Sequence, residues 1–93
     1  MTIESFACKR TEALFQGGHP REFRAFKNVA TRELRLLNVA KTLDFLHSPP
    51  GNRLETLKGD RKGRHSIRIN DQFRVCFTWT DAGPRNVEIV DYH

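Results

Sequence analysis

The chain is poor in cysteine and has no long apolar run. Its two cysteines, Cys8 and Cys76, are far apart, and neither forms a close pair with a histidine as in a zinc site. We therefore expect two small buried side chains, no disulfide, no metal and no cofactor. No apolar segment approaches the length that spans a bilayer, and the N-terminal MTIESFACKR lacks the apolar stretch of a signal peptide. These absences predict a soluble, cytoplasmic protein that does not contact a membrane.

Positive charge dominates the composition. Sixteen Lys and Arg residues oppose eleven Asp and Glu residues, which gives a net charge of +5. Such a net charge indicates that the binding partner is a polyanion or an acidic protein, and it does not distinguish the two. Between residues 53 and 74 there are seven basic residues against three acidic ones. A solvated surface explains any single lysine in that stretch, so the choice of partner needs further evidence.

With 93 residues the chain is expected to form a single domain, 1–93, whose first half is helical. TIESF is a possible short strand, and CKRTEALFQ fits a short helix that ends at Gly17-Gly18. Apolar residues at three- and four-residue steps predict a second helix over about 21–38. A shorter helical turn over 40–47 follows, with either Leu43 and Leu46 or Phe45 directed inward, before Pro49 and Pro50 stop it.

The second half alternates between apolar and polar residues, as strands do. NRLETL, HSIRIN, QFRVCFTW and NVEIVDYH read as strands, with KGDRKG as a basic loop and TDAGPR as another loop. The expected fold class is α+β, in which an N-terminal short strand and helices pack on one face of an antiparallel sheet.

Burial of the apolar face determines how the two middle strands should pair. Pairing Ile69 with Phe73 keeps apolar residues together and sets Arg68 beside Arg74. Two adjacent guanidinium groups repel each other unless something anionic lies over them. For Arg68, simple solvation of an exposed sheet face and phosphate binding are equally good interpretations. Arg74 lies between large apolar residues in the longest strand, which favours a functional role.

The last strand extends the same face. If Phe77 pairs with Ile89 across the TDAGPR hairpin, Tyr92 lies beside Arg74. Asp91 and His93 then start on the opposite side of the sheet, unless a terminal bend redirects them.

These residues resemble a known family. GNRLETLKGDRKGRHSIRINDQFRVCFTW followed by VEIVDYH closely resembles the HigB-type toxins of bacterial toxin–antitoxin systems, which belong to the RelE/ParE superfamily. The resemblance extends more loosely to SFACKRTEALFQGG and LLNVAKTLDFLHSPPGNRL, and so covers nearly the whole chain. Its specificity lies in the ordered set of LKGD, SIRINDQFR and a final DYH.

The resemblance implies a RelE-like, microbial ribonuclease-type fold with a curved sheet. It implies a ribosome-dependent endoribonuclease that cuts mRNA without a metal and thereby inhibits translation. The implied partners are the 70S ribosome, mRNA and a HigA-like antitoxin with a helix-turn-helix domain. Operator DNA would be contacted only indirectly, through that antitoxin.

Metal-free RNA cleavage by the ribose 2′-hydroxyl needs a base, an acid and stabilisation of the charged phosphorane. His93 titrates nearest neutrality and is the leading proton-transfer candidate. Asp91 would orient it or act as a base, and Tyr92 would stack on a base or hold a phosphate oxygen. The resemblance assigns phosphate binding to Arg74 and Lys58. Other basic candidates for RNA contacts are Arg53, Lys62, Arg64 and Arg68.

One position departs from the family pattern. Some members carry a catalytic histidine three residues before the lysine of KGD, where this chain has Glu55. Either Glu55 is the base, or the C-terminal residues carry the acid–base role alone, or activity is reduced. His65 alternates with the apolar Ile67 and reads as a core or edge histidine, while His19 and His47 read as ordinary surface residues.

Two alternatives to the active toxin stay open. A basic module that binds RNA or a partner without chemistry is one, although one Trp and one Tyr are few for a base-stacking surface. The other is a weakened toxin that acts chiefly as antitoxin partner and co-repressor.

Overall fold

The computed structural model describes residues 2–48, 50–57 and 63–91. The described residues form two α-helices, α1 (Lys9–Phe15) and α2 (Lys27–Val39), and a four-stranded antiparallel sheet. The strands are β1 (Glu55–Thr56), β2 (Arg64–Arg68), β3 (Phe73–Thr80) and β4 (Gly83–Asp91), and they are ordered β1-β2-β3-β4 in the sheet. This arrangement confirms the α+β class. No helix in these ranges is both long and apolar enough to cross a bilayer.

Helix α1 ends where the sequence predicts, because Gly17 adopts a left-handed φ of 96° that favours glycine. The expected second helix is divided. Its first part, Arg21–Phe26, is a 3-10 helix, and α2 begins only at Lys27. The three-residue repeat of a 3-10 helix aligns Phe23 with Phe26, whose ring centroid lies 4.5 Å from that of Phe73.

The helical turn expected over 40–47 is shorter, a 3-10 helix at Asp44–His47. Leu46 is buried and Leu43 half-buried, whereas Phe45 is exposed, so the leucines are the residues that turn inward. A further 3-10 turn, Pro50–Asn52, includes the first residue of the expected NRLETL strand. Of that stretch, only Glu55–Thr56 is a strand of the sheet.

The core lies between α2 and one face of the sheet. Ala30, Leu34 and Leu37 of α2 are fully buried in one cluster with Val75 and Phe77 of β3. Because strand residues alternate, the same sheet face carries these strand residues: Ile67, Val75, Phe77 and Ile89. Hydrophobic burial on this face fixes the register of β2 against β3.

The N-terminal segment is not the continuous strand that the sequence suggested. It forms one isolated parallel bridge, Phe6 to Val87, beside β4. Three backbone hydrogen bonds hold it there: Glu4 N–H to the Pro84 carbonyl, Val87 N–H to the Ser5 carbonyl, and Ala7 N–H to the Val87 carbonyl. The segment therefore covers the outer edge of the sheet without completing a ladder.

The register of the last strand differs from the expectation. The TDAGPR stretch is mostly strand, with a turn only at residues 81–82. Val75, and not Phe77, is opposite Ile89, so Val90 instead of Tyr92 lies opposite Arg74. The tight turn causes the shift, because Thr80 already pairs with Gly83, within the stretch expected to be a loop. A bulge then adds one residue to β4, since Cys76 faces Glu88 while Thr78 faces Arg85. The extra residue is accommodated by Asn86, whose φ of 52° is left-handed.

Candidate active site

The face of the sheet turned away from α2 carries most of the described candidate residues. We call it the polar face. Its central row runs from Glu55 through Ser66 and Cys76 to Glu88, and the next row pairs Arg68 with Arg74. The pairing of Arg68 with Arg74 confirms the predicted register.

Arg74 is buried within this polar face, with 8% of its surface exposed. Its Nε donates to the Ser66 hydroxyl at 2.7 Å. Its Nη2 donates to the carbonyl oxygens of Ser66, at 3.3 Å, and Arg53, at 2.5 Å. The same Nη2 lies 3.0 Å from the Glu55 carboxylate. A buried guanidinium needs such partners, and together they fix the direction in which its charge is presented.

The charge repulsion expected between Arg68 and Arg74 is relieved inside the chain. Arg68 Nη2 pairs with the Asp71 carboxylate at 2.5 Å in the β2–β3 turn, while Arg74 pairs with Glu55. The sequence suggested that an anion from outside the chain lies over these arginines, but the carboxylates of Asp71 and Glu55 take that place. Both carboxylates are exposed, so an RNA phosphate can compete with them.

Arg64 and Arg53 extend the positive surface around this centre. Arg64 contacts the Thr78 hydroxyl at 3.3 Å, the Asn86 carbonyl at 3.5 Å and the Glu88 carboxylate at 3.8 Å. Arg53 is exposed and has a left-handed φ of 45°, with its carbonyl held by Arg74. The polar face thus carries four arginines, three of which pair with carboxylates of the chain: Arg64 with Glu88, Arg68 with Asp71 and Arg74 with Glu55.

Sequence reasoning missed two residues that position this site. Ser66 is fully buried and supplies two of the acceptors for Arg74. Asn52 is buried, and its Nδ2 donates to the carbonyls of Leu46 at 3.1 Å and Ser48 at 3.3 Å. Asn52 thereby anchors the turn that leads to Arg53 and Glu55. Neither stood out in the sequence, because Ser66 alternates onto the polar face as an ordinary polar residue and Asn52 lies in the turn before the expected strand.

Asp91 ends β4 opposite Phe73, on the face that carries the core and not on the polar face. Its Oδ2 accepts a hydrogen bond from Gln72 Nε2 at 2.9 Å. The predicted side for Asp91 is therefore confirmed. Four predicted site residues lie outside the described residues, and their positions stay predictions: Lys58, Lys62, Tyr92 and His93.

His65 is not part of this site. It lies on the core face beside Phe77, with ring centroids 5.9 Å apart, and its Nδ1 is 3.2 Å from the Thr56 hydroxyl. Burial lowers the pKa of the His65 imidazole below its ordinary value. The ring is half-buried between Thr56 of β1 and Phe77 of β3, on the core side that its alternation with Ile67 predicted. No cluster of His, Cys, Asp or Glu within the described ranges is arranged to hold a metal ion.

A solved structure has the same fold as this chain. A crystal structure of YafQ from E. coli strain BL21(DE3) superposes with a TM-score of 0.66, covering 97% of this chain and 91% of that chain. At 19% identity, that likeness establishes the fold alone.

Two relatives match part of the sequence. Toxin HigB-1 of Vibrio cholerae serotype O1 is 44% identical over 58 residues, which is 62% of this chain and 61% of the relative. An uncharacterised protein of Haemophilus influenzae is 30% identical over 59 residues, 63% of this chain and 58% of the relative. The matches thus span about three fifths of each relative's length.

A family description covers almost all of the chain. The family of the RelE-like toxin of the type II toxin–antitoxin system HigB matches residues 4–93. The match includes the polar face, the β2–β3 hairpin and the final DYH. The chain therefore belongs to the HigB-like family of RelE-like toxins from type II toxin–antitoxin systems.

Proposed function

We propose that the chain is the toxin of a type II toxin–antitoxin system and cleaves mRNA on the ribosome. The observation that carries this proposal is the fixed arginine centre of the polar face, where Arg74 is held by Ser66, Arg53 and Glu55. A preorganised guanidinium stabilises a phosphorane better than a mobile one, because it needs no reorganisation during the reaction. Family membership supports the same assignment.

In the proposed reaction, the ribose 2′-oxygen attacks the adjacent phosphate after losing its proton to a base. The phosphorus–5′-oxygen bond then breaks, leaving a 2′,3′-cyclic phosphate, and an acid protonates the departing oxygen. Arg74 and Lys58 would bind the phosphate, with Glu55 as the exposed partner that RNA displaces from Arg74. His93 would transfer the proton, with Asp91 orienting it and Tyr92 contacting the RNA.

The proposed surroundings follow from this reaction. The 70S ribosome would present the mRNA, and the basic residues beside Arg74 would contact its backbone: Arg53, Lys62, Arg64 and Arg68. A HigA-like antitoxin with a helix-turn-helix domain would silence the toxin, and operator DNA would be reached only through it. Because ribosomes are the target, the protein would act in the cytoplasm.

The Glu55–Arg74 ion pair favours a second candidate, a weakened toxin that serves chiefly as antitoxin partner and co-repressor. An exposed carboxylate paired with the phosphate-binding guanidinium competes with RNA for it. This candidate predicts antitoxin binding at full strength together with slow scission.

The test is mRNA scission on programmed ribosomes by the wild type and by His93→Ala. His19→Ala is the matched control, because His19 is an exposed histidine in the helical half of the chain, between α1 and the 3-10 helix Arg21–Phe26. We expect scission by the wild type and the control and its loss in His93→Ala. If His93→Ala cleaves as the wild type does, the assignment of His93 is wrong. Salt-sensitive RNA binding without any scission would instead indicate a non-catalytic RNA-binding module.

A further inference from the structure

A groove of about 570 Å³ lies between the end of α1 and the outer side of α2. Its apolar lining includes Phe15, Leu36 and Val39, and Val39 is 58% exposed. Its basic lining consists of Lys27, Arg32 and Arg35. An exposed apolar strip bordered by charge of one sign is typical of a surface that binds another protein.

The groove is on the side of α2 that faces away from the sheet. At 100° per residue, Arg32, Arg35 and Val39 lie nearly opposite the buried Ala30 and Leu34, which pack on the core face. The polar face of Arg74 is on the far side of that sheet. A partner in the groove therefore contacts a surface separate from the candidate active site.

The charges of α2 select an acidic partner. Glu33 is the single acidic residue of α2, and it is buried at 1% exposure on the core side. Arg32 Nε lies 3.6 Å from the Glu33 carboxylate, but the Arg32 side chain is still 65% exposed, and no other carboxylate of α2 borders the groove. Arg35 forms no ion pair with another residue in the described ranges. Its guanidinium is available to a carboxylate from outside.

The apolar lining distinguishes a protein partner from RNA. A nucleic-acid backbone would match the three basic residues but would gain little from Phe15, Leu36 and Val39. An amphipathic helix satisfies both parts, with apolar residues in the groove and carboxylates toward the basic border. The side of α2 from Asn28 to Val39 is about 17 Å long at the helical rise of 1.5 Å per residue, which matches about three turns.

We propose that this groove binds an acidic amphipathic helix of the cognate antitoxin. The proposal rests on the proposed function for the existence of that partner, and it adds the surface and the chemistry of recognition. Val39 and Leu36 supply the apolar contact, while Arg35, Arg32 and Lys27 pair with carboxylates of the antitoxin helix.

The experiment measures the affinity of the full chain for the purified helix-turn-helix protein encoded by the neighbouring reading frame. The groove variants are Val39→Asp and Arg35→Glu. Their matched controls are Phe45→Asp and Lys41→Glu, which change an exposed apolar and an exposed basic residue outside the groove. We expect each groove variant to weaken binding by about tenfold or more, and each control to stay within about twofold. Arg35→Glu should also lower the salt dependence of binding.

Three results would overturn the inference. Equal affinity of groove variants and controls places the antitoxin elsewhere, as does failure of the wild type to bind the neighbouring protein. Loss of ribosome affinity in Arg35→Glu with unchanged antitoxin affinity makes the groove an RNA surface. Self-association of the chain alone that Val39→Asp abolishes makes it an interface between two copies.

Scission on ribosomes, measured without antitoxin, separates this inference from the proposed function. The groove variants should cleave as the wild type does. A wild type that binds the antitoxin through the groove yet never cleaves mRNA refutes the nuclease assignment alone. A wild type that cleaves, with groove variants that bind normally, refutes the groove alone.

Discussion

Arg74 and Glu55 form an ion pair of 3.0 Å although β2 lies between their strands. The contact exists because Arg74 reaches along the polar face past Ser66 toward β1. It joins the phosphate-binding candidate to the position at which the family resemblance implies a catalytic histidine in some members. The departure from the family pattern is thus built into the arginine centre itself.

Replacing Glu55 by Gln removes the carboxylate that competes with RNA and keeps the length of the side chain. We expect tighter, more salt-dependent RNA binding and a scission rate within about tenfold of the wild type. Binding to a non-cleavable RNA and single-turnover scission measure the two quantities. A loss of scission of a hundredfold or more, with unchanged RNA affinity, would identify Glu55 as the base instead.

Replacing Arg74 by Ala should destabilise the fold as well as the site. It leaves the Ser66 hydroxyl and the Arg53 carbonyl without their donor, at a cost of about 2 kcal/mol in the free energy of unfolding. Arg68→Ala is the matched control, and loss of its exposed ion pair with Asp71 should cost about 0.5 kcal/mol or less. Urea unfolding compares them. Equal stability losses would show that the Arg74 contacts contribute nothing beyond surface pairing.

Asn52→Ala should loosen the segment that carries Arg53 and Glu55. The substitution removes the buried amide and leaves the carbonyls of Leu46 and Ser48 without this donor. We expect a loss of about 1–2 kcal/mol in the free energy of unfolding. Asn28→Ala, at an exposed position of α2, should change it by less than about 0.5 kcal/mol. Faster amide exchange at 53–56 in Asn52→Ala would locate the effect. Unchanged exchange there would contradict an anchoring role.

Glu33 should make stability depend on pH. Burial raises the pKa of its carboxyl, with Arg32 acting in the opposite direction, so the folded state binds the proton more tightly than the unfolded state. Stability from this group is present below the ordinary pKa of Glu and is lost as pH rises through the raised pKa. Glu33→Gln should therefore be more stable than the wild type at about pH 8, by about 1 kcal/mol.

That advantage should shrink toward about pH 5, where the Glu33 carboxyl is increasingly protonated. Burial also lowers the pKa of His65, so protonation of this residue lowers the stability of the fold as pH falls. This effect is the same in the wild type and in Glu33→Gln, and it cancels when the two are compared. Thermal unfolding of both proteins over this range measures the difference, with the exposed Glu12→Gln as control. A difference that is constant with pH would rule out titration of Glu33 as its cause.

Local pattern predicted the pairing of β2 with β3, because moving Ile69 away from Phe73 would expose a whole apolar face. The same reasoning failed for β4. The TDAGPR stretch turns within residues 81–82, so Thr80 already pairs with Gly83 and β4 is displaced from the register that a loop over the whole stretch would give. The bulge at Asn86 then adds one residue that simple alternation does not count.

The surroundings of Arg74 were beyond prediction for a different reason. Alternation placed it on the polar face, which the structure confirms. Its burial depends on contacts with Arg53 and Glu55, about twenty residues earlier and beyond a turn whose path no periodic pattern describes. Sequence pattern therefore identified the arginine, while its partners came from tertiary structure.

The edge contact between the N-terminal segment and β4 bears on when the sheet is completed during synthesis. The hydrogen bond from Asn86 N–H to the Ser5 hydroxyl joins residues 81 positions apart, so Ser5 can make this contact only after Asn86 has been made. A structure closed by contacts so distant in sequence forms late, since loop closure must precede the stabilising contacts. Throughout most of its own translation the chain lacks β4 and hence the completed sheet. If the chain cleaves mRNA on the ribosome as proposed, its own synthesis is therefore protected from that cleavage until residues 83–91 have emerged.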